Sequence, residues 1–452
     1  MPMDVLILSR IQFAFTIMFH YIYPPLSIGL GLILVIMEGL YLKTGKKLYH
    51  EMTKFWVKVF ALTFAMGVAT GIVMEFEFGT NWATYSRYVG DVFGSALAAE
   101  GIFAFFLESG FLAILLFGWD KVSPRVHFFS TICVCLGAHF SAIWITVANS
   151  WMQTPAGFHI VGEGIHARAE IVDFWAMVFN PSSIERVLHV YMGAWQAGAW
   201  LVLSVSAYYL LKKRHVEFAK NSMKIGLVVA LIASLGQLWS GHSSAQGVAR
   251  NQPEKLAAME GHYAVSAPAD LHLFGIVNEK ENRVDRALTI PGFSSFLIHG
   301  DAKAPIPGLE SFPKNERPPV QITFQAYHLM VAVGLALIGL SFLGVFFWWR
   351  GILFEQKWLL GLYLFAVLGP QIANQAGWVT AEVGRQPWIV YKLLRTSDAL
   401  SKVVTASMVL GSLIMFTLIY LLLFILFVYL LDRKIKMGPQ LAEEGLYERH
   451  HV

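Results

Sequence analysis

The sequence predicts an all-α, polytopic membrane protein with about nine transmembrane helices, and three observations support this prediction. Hydrophobic residues make up 56% of the 452 residues, and the mean hydropathy is +0.55. Charged residues account for only 14%, whereas an average soluble domain has roughly 25%. Apolar runs of about 20 residues, the length that crosses a bilayer, recur along the chain. The small net charge of +4 argues against a nucleic-acid-binding surface.

The predicted spans alternate with loops of unequal charge. The nine spans are 11–41, 55–75, 92–118, 126–150, 187–211, 218–240, 321–349, 358–381 and 401–431. Lys and Arg cluster after the first, fifth, seventh and ninth spans, so the positive-inside rule places the N-terminus outside and the C-terminus in the cytoplasm. The loop after the eighth span breaks this pattern with Arg385, Lys392 and Arg395. Basic residues held outside suggest pairing with an anionic cofactor.

One long connection, 242–319, divides the chain into helices 1–241, this loop, and helices 320–452. It holds eight of the 17 prolines, which argues against a continuous helix. Ordered loops of this length are usually functional. Within it, Pro253–Glu260 is predicted to form a short helix that begins at its proline and carries Lys255 and Glu260 near one end.

Two carboxylates lie inside the third span. Glu100 and Glu108 are eight residues apart, so we expect them on roughly the same side of the helix. An ionisable residue at membrane depth costs a few kcal/mol on insertion scales and is usually functional. The residues alone leave three explanations open, namely an ion or proton path, a cofactor or metal site, and a buried pair.

Several potential iron ligands also fall in or near spans. The histidines are His20, His127, His139, His189 and His328, and Met330 and Glu382 accompany them. Each alone is most often a packing or hydrogen-bonding residue, and no function is assigned to His139. Together they indicate a cofactor-rich interior, in which His and Met can form the axial pair of a low-spin haem.

The segment 377–388 is the most specific string in the chain. Glu382 lies near the end of a span that Gly384 and Pro387 terminate. Arg385 then reaches the membrane face, where a guanidinium suits a propionate. An ordinary helix end with a snorkelling arginine is the alternative. Trp378 shares a helix face with Glu382 and can pack against what it binds.

The chain resembles subunit I of cytochrome bd-type quinol oxidases over essentially its whole length. The matching stretches are 9–20, 52–56, 67–76, 78–82, 100–109, 147–152, 255–260 and 384–388. The resemblance implies a haem-binding bundle that oxidises a membrane quinol and reduces O2 to water, generating a proton gradient without pumping. It also implies two haems b and one haem d.

Ligand roles follow from the same resemblance. His189 and Met330 match the axial pair of the low-spin haem b, and His20 and Glu382 match the axial ligands of the two high-spin haems, without division between them. Arg385, and more weakly Arg10, match arginines near the haems. The sequence Gly241–Gln246 also resembles the cyanide-insensitive branch, in which haem b can replace haem d. His328 stands where other members have Arg, which leaves the partner of the low-spin haem's propionate open.

The remaining site residues are also assigned by resemblance. Glu100 matches a carboxylate beside the high-spin haems, Glu108 one on a proton route, and Trp378 a tryptophan between haems. Lys255 and Glu260 match residues of the quinol loop, which is of the short type. The implied partners are a second integral-membrane subunit, a small single-helix accessory subunit, quinol, O2 and the lipid of a bacterial cytoplasmic (inner) membrane.

Two other classes of function compete with this interpretation. Intramembrane carboxylates also couple protons in secondary transporters, although the inverted repeats that such proteins often show are not evident here. A cytochrome that only relays electrons is the other alternative. One reduced-minus-oxidised spectrum distinguishes the three, because a transporter shows no haem, a relay only low-spin haem, and an oxidase adds high-spin or chlorin bands.

Overall fold

The computed structural model describes residues 4–440 and is built almost entirely of helices. Its sixteen α-helices within these residues are α1 Val5–His20, α2 Tyr23–Thr44, α3 Lys47–Thr80, α4 Ala83–Tyr88, α5 Gly90–Ala99, α6 Phe106–Phe117, α7 Pro124–Gln153, α8 Phe174–Val178, α9 Ser183–Leu211, α10 Val216–Asn251, α11 Pro253–Glu260, α12 Phe293–His299, α13 Val320–Trp349, α14 Lys357–Ala366, α15 Leu368–Val383 and α16 Ala406–Met437. The all-α, multi-pass prediction is confirmed.

Some of the loops contain short antiparallel β-hairpins. The strands are β1 Phe158–Val161 with β2 Arg168–Ile171, β3 Leu271–Asn278 with β4 Arg283–Ile290, and β5 Trp388–Val390 with β6 Leu394–Arg395. The second hairpin belongs to the long connection, which runs from the end of α10 to the start of α13 and also contains α11 and α12. Its strand β3 lies against the first turns of α13, where Gln325 Nε2 donates to Gly275 O at 2.7 Å.

Eight helices or closely joined helix pairs within residues 4–440 are long and apolar enough to cross a membrane. The ninth predicted span, 187–211, forms a 29-residue helix, α9, but it is not one of these eight. Its second half buries Trp200, Ser204, Ser206 and Tyr209 among neighbouring helices. A helix shielded by protein needs no uniformly apolar surface, which explains why α9 falls outside a selection by length and apolar composition.

Three predicted spans are interrupted, and the eighth is divided at Val367 between α14 and α15. The first is divided between α1 and α2, where α2 begins at Tyr23 with proline at its N-terminus. Proline has no N–H to continue the preceding helix, so His20 becomes the last residue of α1. The third contains a π-helical segment, Glu100–Phe105, between α5 and α6. Such segments are often found at functional sites.

The helices pack around α9. It contacts α2, α7, α10, α14 and α15. The approach of α2 is close because Gly29 faces Ala194 and Gly198 of α9, where an added Cβ would overlap the backbone of both residues. Small residues four apart allow such contacts in membrane bundles. The largest buried side chains of the core, such as Trp56 and Trp200, lie around this contact.

Candidate functional site

His189 and Met330 lie on two helices that both contact α10. The ring of His189, on α9, lies against α10, with Nδ1 3.0 Å from Ser240 Oγ and Nε2 2.9 Å from Gln237 Nε2. Met330, on α13, faces α15, and its sulfur would lie 3.1 Å from a Cβ added at Gly377. The glycine therefore leaves room beside the thioether. Four helices, α9, α10, α13 and α15, thus surround these two potential iron ligands.

His20 is fixed by α3. Its Nδ1 lies 2.9 Å from Thr70 Oγ1, and its Cε1 would lie 3.3 Å from a Cβ added at Gly71. Thr70 itself donates to Met66 O at 2.7 Å, which orients the hydroxyl. Fixing one ring nitrogen in this way leaves the other as the candidate for iron, the arrangement that metal-binding histidines commonly show.

Glu382 lies at the centre of a polar network near the end of α15. Its Oε2 pairs with Arg385, and its Oε1 accepts from Asn149 Nδ2 at 3.1 Å and from Gln153 Nε2 at 3.2 Å. The helix ends at Val383, with Gly384 as its C-cap, as the sequence predicts. Both carboxylate oxygens are therefore engaged by side chains of α7 and of the segment after α15.

Three cations converge on this carboxylate. Lys255 Nζ donates to Gln153 Oε1 at 2.6 Å, and Arg186 pairs with Asn149. Burial lowers the pKa of Lys255 well below its ordinary value, and the positive charges of Arg186 and Arg385 lower it further. Arg186 Nε and Arg385 Nη1 are buried without a hydrogen-bond partner among residues 4–440. The cluster therefore holds two buried N–H donors that no other group in this part of the chain satisfies.

Arg186, Asn149 and Gln153 were not singled out in the sequence. Arg186 is one helical turn before His189, and Asn149 and Gln153 are one turn apart on α7. A basic residue beside a candidate ligand, at the start of a span, was the available signal. The sequence around Asn149 and Gln153 gave no such signal, because it does not show that α7 passes beside the end of α15.

Trp378 lies beside the break between α1 and α2. Its ring meets Tyr21 edge to face, with centroids 5.5 Å apart at 78°. Tyr21 directly follows His20, and Trp378 is four residues before Glu382 on α15. The tryptophan therefore links the segment that carries one candidate ligand to the helix that carries another.

Glu100 and Glu108 both face α7. Glu100 accepts from Ser141 Oγ at 2.5 Å, and the side chain of Glu108 packs over Gly137, four residues earlier on α7. In a regular α-helix the two glutamates would diverge by about 80°. The π-helical segment turns less per residue and brings them closer to one line. The prediction that they share a side is confirmed.

Lys255 and Glu260 occupy different parts of α11. This helix begins at Pro253, as predicted, but Lys255 lies in its first turn and Glu260 is its last residue, so the expectation that both lie near one end was wrong. Glu260 accepts from Ser294 Oγ at 3.2 Å. Burial raises the pKa of Glu260 to about 7, against the opposing effect of the hydroxyl groups of Tyr327 and Ser294.

Two further residues lie apart from these groups. Arg10 is ten residues before His20 on α1, about 15 Å along the helix. His139 lies 2.8 Å from Cys135 O through Nδ1, and its Nε2 accepts from Trp195 Nε1 at 3.0 Å. Both ring nitrogens of His139 are thus used within the bundle, which supports leaving it without a catalytic role.

Comparisons with known proteins agree with one another. The family model of cytochrome bd terminal oxidase subunit I matches residues 8–439. The chain is 39% identical to cytochrome bd ubiquinol oxidase subunit 1 of Bacillus subtilis (strain 168), over 99% of this chain and 96% of that protein. It is 36% identical to cytochrome bd-II ubiquinol oxidase subunit 1 of Escherichia coli (strain K12), over 97% and 98%.

A solved structure is similar over the same length. The bd oxidase from Geobacillus thermodenitrificans matches with a TM-score of 0.89 and 31% identity, covering 96% of this chain and 99% of that one. The family implies haem cofactors, and relatives named subunit 1 imply a second subunit. The chain therefore belongs to the cytochrome bd terminal oxidase subunit I family, and it is a multi-pass membrane subunit of a quinol:oxygen oxidoreductase.

Proposed function

We propose that this chain is the haem-bearing catalytic subunit of a respiratory oxidase that oxidises quinol on the outer side of the bacterial cytoplasmic membrane and reduces O2 to water. The observation that carries the proposal is the buried cluster of Arg186, Lys255 and Arg385 around Glu382, in which two N–H groups have no hydrogen-bond partner within residues 4–440. Buried cations need anionic partners, and haem propionates meet that need.

The donor set fits two haems b and one haem d, or haem b in place of haem d. His189 and Met330 would hold the low-spin haem, and His20 and Glu382 the two high-spin haems. Bound haem would supply one-electron transfer and an open position for O2. Arg186 and Arg385 would neutralise propionates, and Glu382 would exchange one of its present partners for iron. Trp378 would pack between the ligand-bearing segments, while Arg10 is the weakest of these assignments.

Quinol oxidation requires a base, and Glu260 is the candidate. A carboxyl whose pKa is raised to about 7 can accept a proton near neutral pH and release it again. Lys255 would orient a quinol oxygen from the side of the cation cluster. The loop 242–319 would then form the quinol-binding region, on the outer side that the distribution of Lys and Arg predicts.

Glu108 and Glu100 would supply protons for O2 reduction. They line up along α7, and Ser141 donates to Glu100 at 2.5 Å. Protons would enter from the cytoplasm through the second subunit, and quinol protons would leave outside. Charge would cross the membrane without a pump. A small single-helix accessory subunit would complete the assembly.

A spectrum of the purified complex tests the cofactor assignment. In the Met330→Leu variant we expect the low-spin haem band to change, because a leucine cannot ligate iron, while the high-spin bands persist. Met408→Leu is the matched control, because Met408 is 64% exposed on α16. A low-spin spectrum that is the same in both variants would rule out Met330 as a ligand, and a protein without haem would refute the proposal.

A further inference from the structure

A small pocket lies between the first turns of α3 and the end of α16. It is lined by Glu51, Lys54, Phe55 and Lys58 of α3, by Lys434 of α16, and by the segment 438–440 that follows α16. Three positive charges therefore face one concave surface. Glu51 supplies a carboxylate to this lining, and its Oε1 lies 3.3 Å from His50 Nδ1. None of the three lysines forms an ion pair with a carboxylate within residues 4–440.

Lys434 is held in place by groups on two other helices. Its Nζ lies 5.9 Å from the centre of the Phe55 ring, whose face attracts a cation. The carbonyl oxygen of the next residue, Ile435, accepts a hydrogen bond from the Tyr209 hydroxyl at 2.6 Å. Tyr209 belongs to α9 and is fully buried. The end of α16 is therefore tied to the core of the bundle, and the position of Lys434 is fixed.

The pocket lies at the depth of lipid headgroups. Lys58 falls near the start of the predicted span 55–75, and Lys434 lies three residues after the end of the predicted span 401–431. The distribution of Lys and Arg predicts that this end of both helices faces the cytoplasm. A lysine at this depth is costly unless its ammonium group reaches the interface or an anionic partner. Lipids of the cytoplasmic leaflet carry the negative charge that such a partner requires.

We propose that this pocket binds the phosphate of an anionic phospholipid, and that Lys54, Lys58 and Lys434 are its ligands. Basic pockets between transmembrane helices on the cytoplasmic side bind anionic headgroups in other proteins. From Lys434 toward the membrane interior, α16 exposes apolar side chains, among them Leu422 and Ile425, which are 68% and 56% exposed. The acyl chains of a lipid whose phosphate lies in the pocket would run along this surface. A free phosphate ion makes no use of it, which favours a lipid.

The bound lipid would join two helices that are otherwise held together by apolar contacts. Met66 of α3 and Phe427 of α16 belong to one buried cluster further along the same interface. At the pocket, by contrast, the lysines of the two helices repel each other. A phosphate between them removes this repulsion and links α3 to α16. The site is separate from the candidate haem ligands and from the quinol loop.

Native mass spectrometry of the purified complex, titrated with dioleoylphosphatidylglycerol, tests the proposal. Each lysine near a membrane surface contributes about a fivefold change in binding to anionic lipid. We therefore expect Lys58→Gln and Lys434→Gln each to raise the Kd of the first bound lipid about fivefold, and Glu51→Gln to lower it. Lys436→Gln is the matched control. It removes the same charge two residues after Lys434, from a lysine that pairs with Asp432 at 2.8 Å and does not line the pocket.

Several results would overturn the proposal. Wild-type affinity in both Lys58→Gln and Lys434→Gln would exclude the pocket as the site, provided that unchanged haem bands show both variants to be folded. An equal loss in Lys436→Gln would show that only the overall charge of this surface matters. Dioleoylphosphatidylcholine should bind more weakly and equally to all variants, because its choline group balances its phosphate. If inorganic phosphate displaces the anionic lipid at equal concentration, the ligand is a free phosphate and not a lipid.

Discussion

Replacing Glu260 with Gln should make the folded protein more stable at neutral and alkaline pH but abolish quinol oxidation. Burial raises the pKa of this carboxyl from 4.5 to about 7. This difference in pKa corresponds to about 3 kcal/mol, at about 1.4 kcal/mol for each pKa unit. This is the free energy that the folded state loses when the buried carboxyl is ionised. A glutamine of the same shape carries no charge and avoids that cost, but it cannot accept a quinol proton.

The direction in which the stability changes with pH follows from the number of protons that each state binds. Below pH 4.5 the carboxyl is protonated in both the folded and the unfolded state, so the folded state bears no cost of ionising it. Between pH 4.5 and about 7 the folded state binds more protons than the unfolded state, and stability falls as the pH rises. Above about pH 7 the full cost applies. The variant should therefore gain most at pH 8 and nothing at pH 4.

Apparent melting temperatures of the purified complex at several pH values measure this effect. Wild type should lose more stability between pH 5 and pH 8 than Glu260→Gln, by at most about 3 kcal/mol. Quinol oxidation by the variant should be lost, with all haem bands retained. Glu163→Gln, a change at an exposed loop carboxyl, is the control and should behave as wild type. A variant that is less stable than wild type at every pH would refute the reasoning.

Two other predictions concern the membrane-spanning part. Glu108→Gln should slow proton-coupled O2 reduction while leaving haem bands intact, and full O2 consumption in a rapid-mixing assay would exclude the proposed route. Gly29→Ala should destabilise the bundle by about 1–3 kcal/mol, because its Cβ would overlap the backbone of α9. Gly79→Ala, which meets no atom within 4 Å, should change the melting temperature far less.

Much of the architecture could be predicted from composition and local pattern. Apolar runs require helices in lipid, because every backbone N–H and C=O must be satisfied within the segment. Pro253 and Gly384 set the start of α11 and the end of α15, since proline suits the first helical position and glycine caps the end. The candidate ligands could be selected because polar residues are costly at membrane depth.

Other features depended on contacts between distant segments. Arg186 and Gln153 join the network of Glu382 only because α7, α9 and α15 meet there. The Tyr327 hydroxyl can influence the pKa of Glu260 only because α11 packs against α13. Whether two such side chains contact each other depends on which helices are neighbours and on where each side chain points. No local sequence pattern encodes that information.

The sequence by itself determined that this chain is a helical membrane protein, and its motifs identified the residues that could hold haem and move protons. The tertiary structure decided how those residues group. It gathered Arg186, Lys255 and Arg385 around one carboxylate, and it separated Lys255 from Glu260. The physical reason is that a buried charge is stabilised by all of its neighbours together, and those neighbours come from helices far apart in the chain.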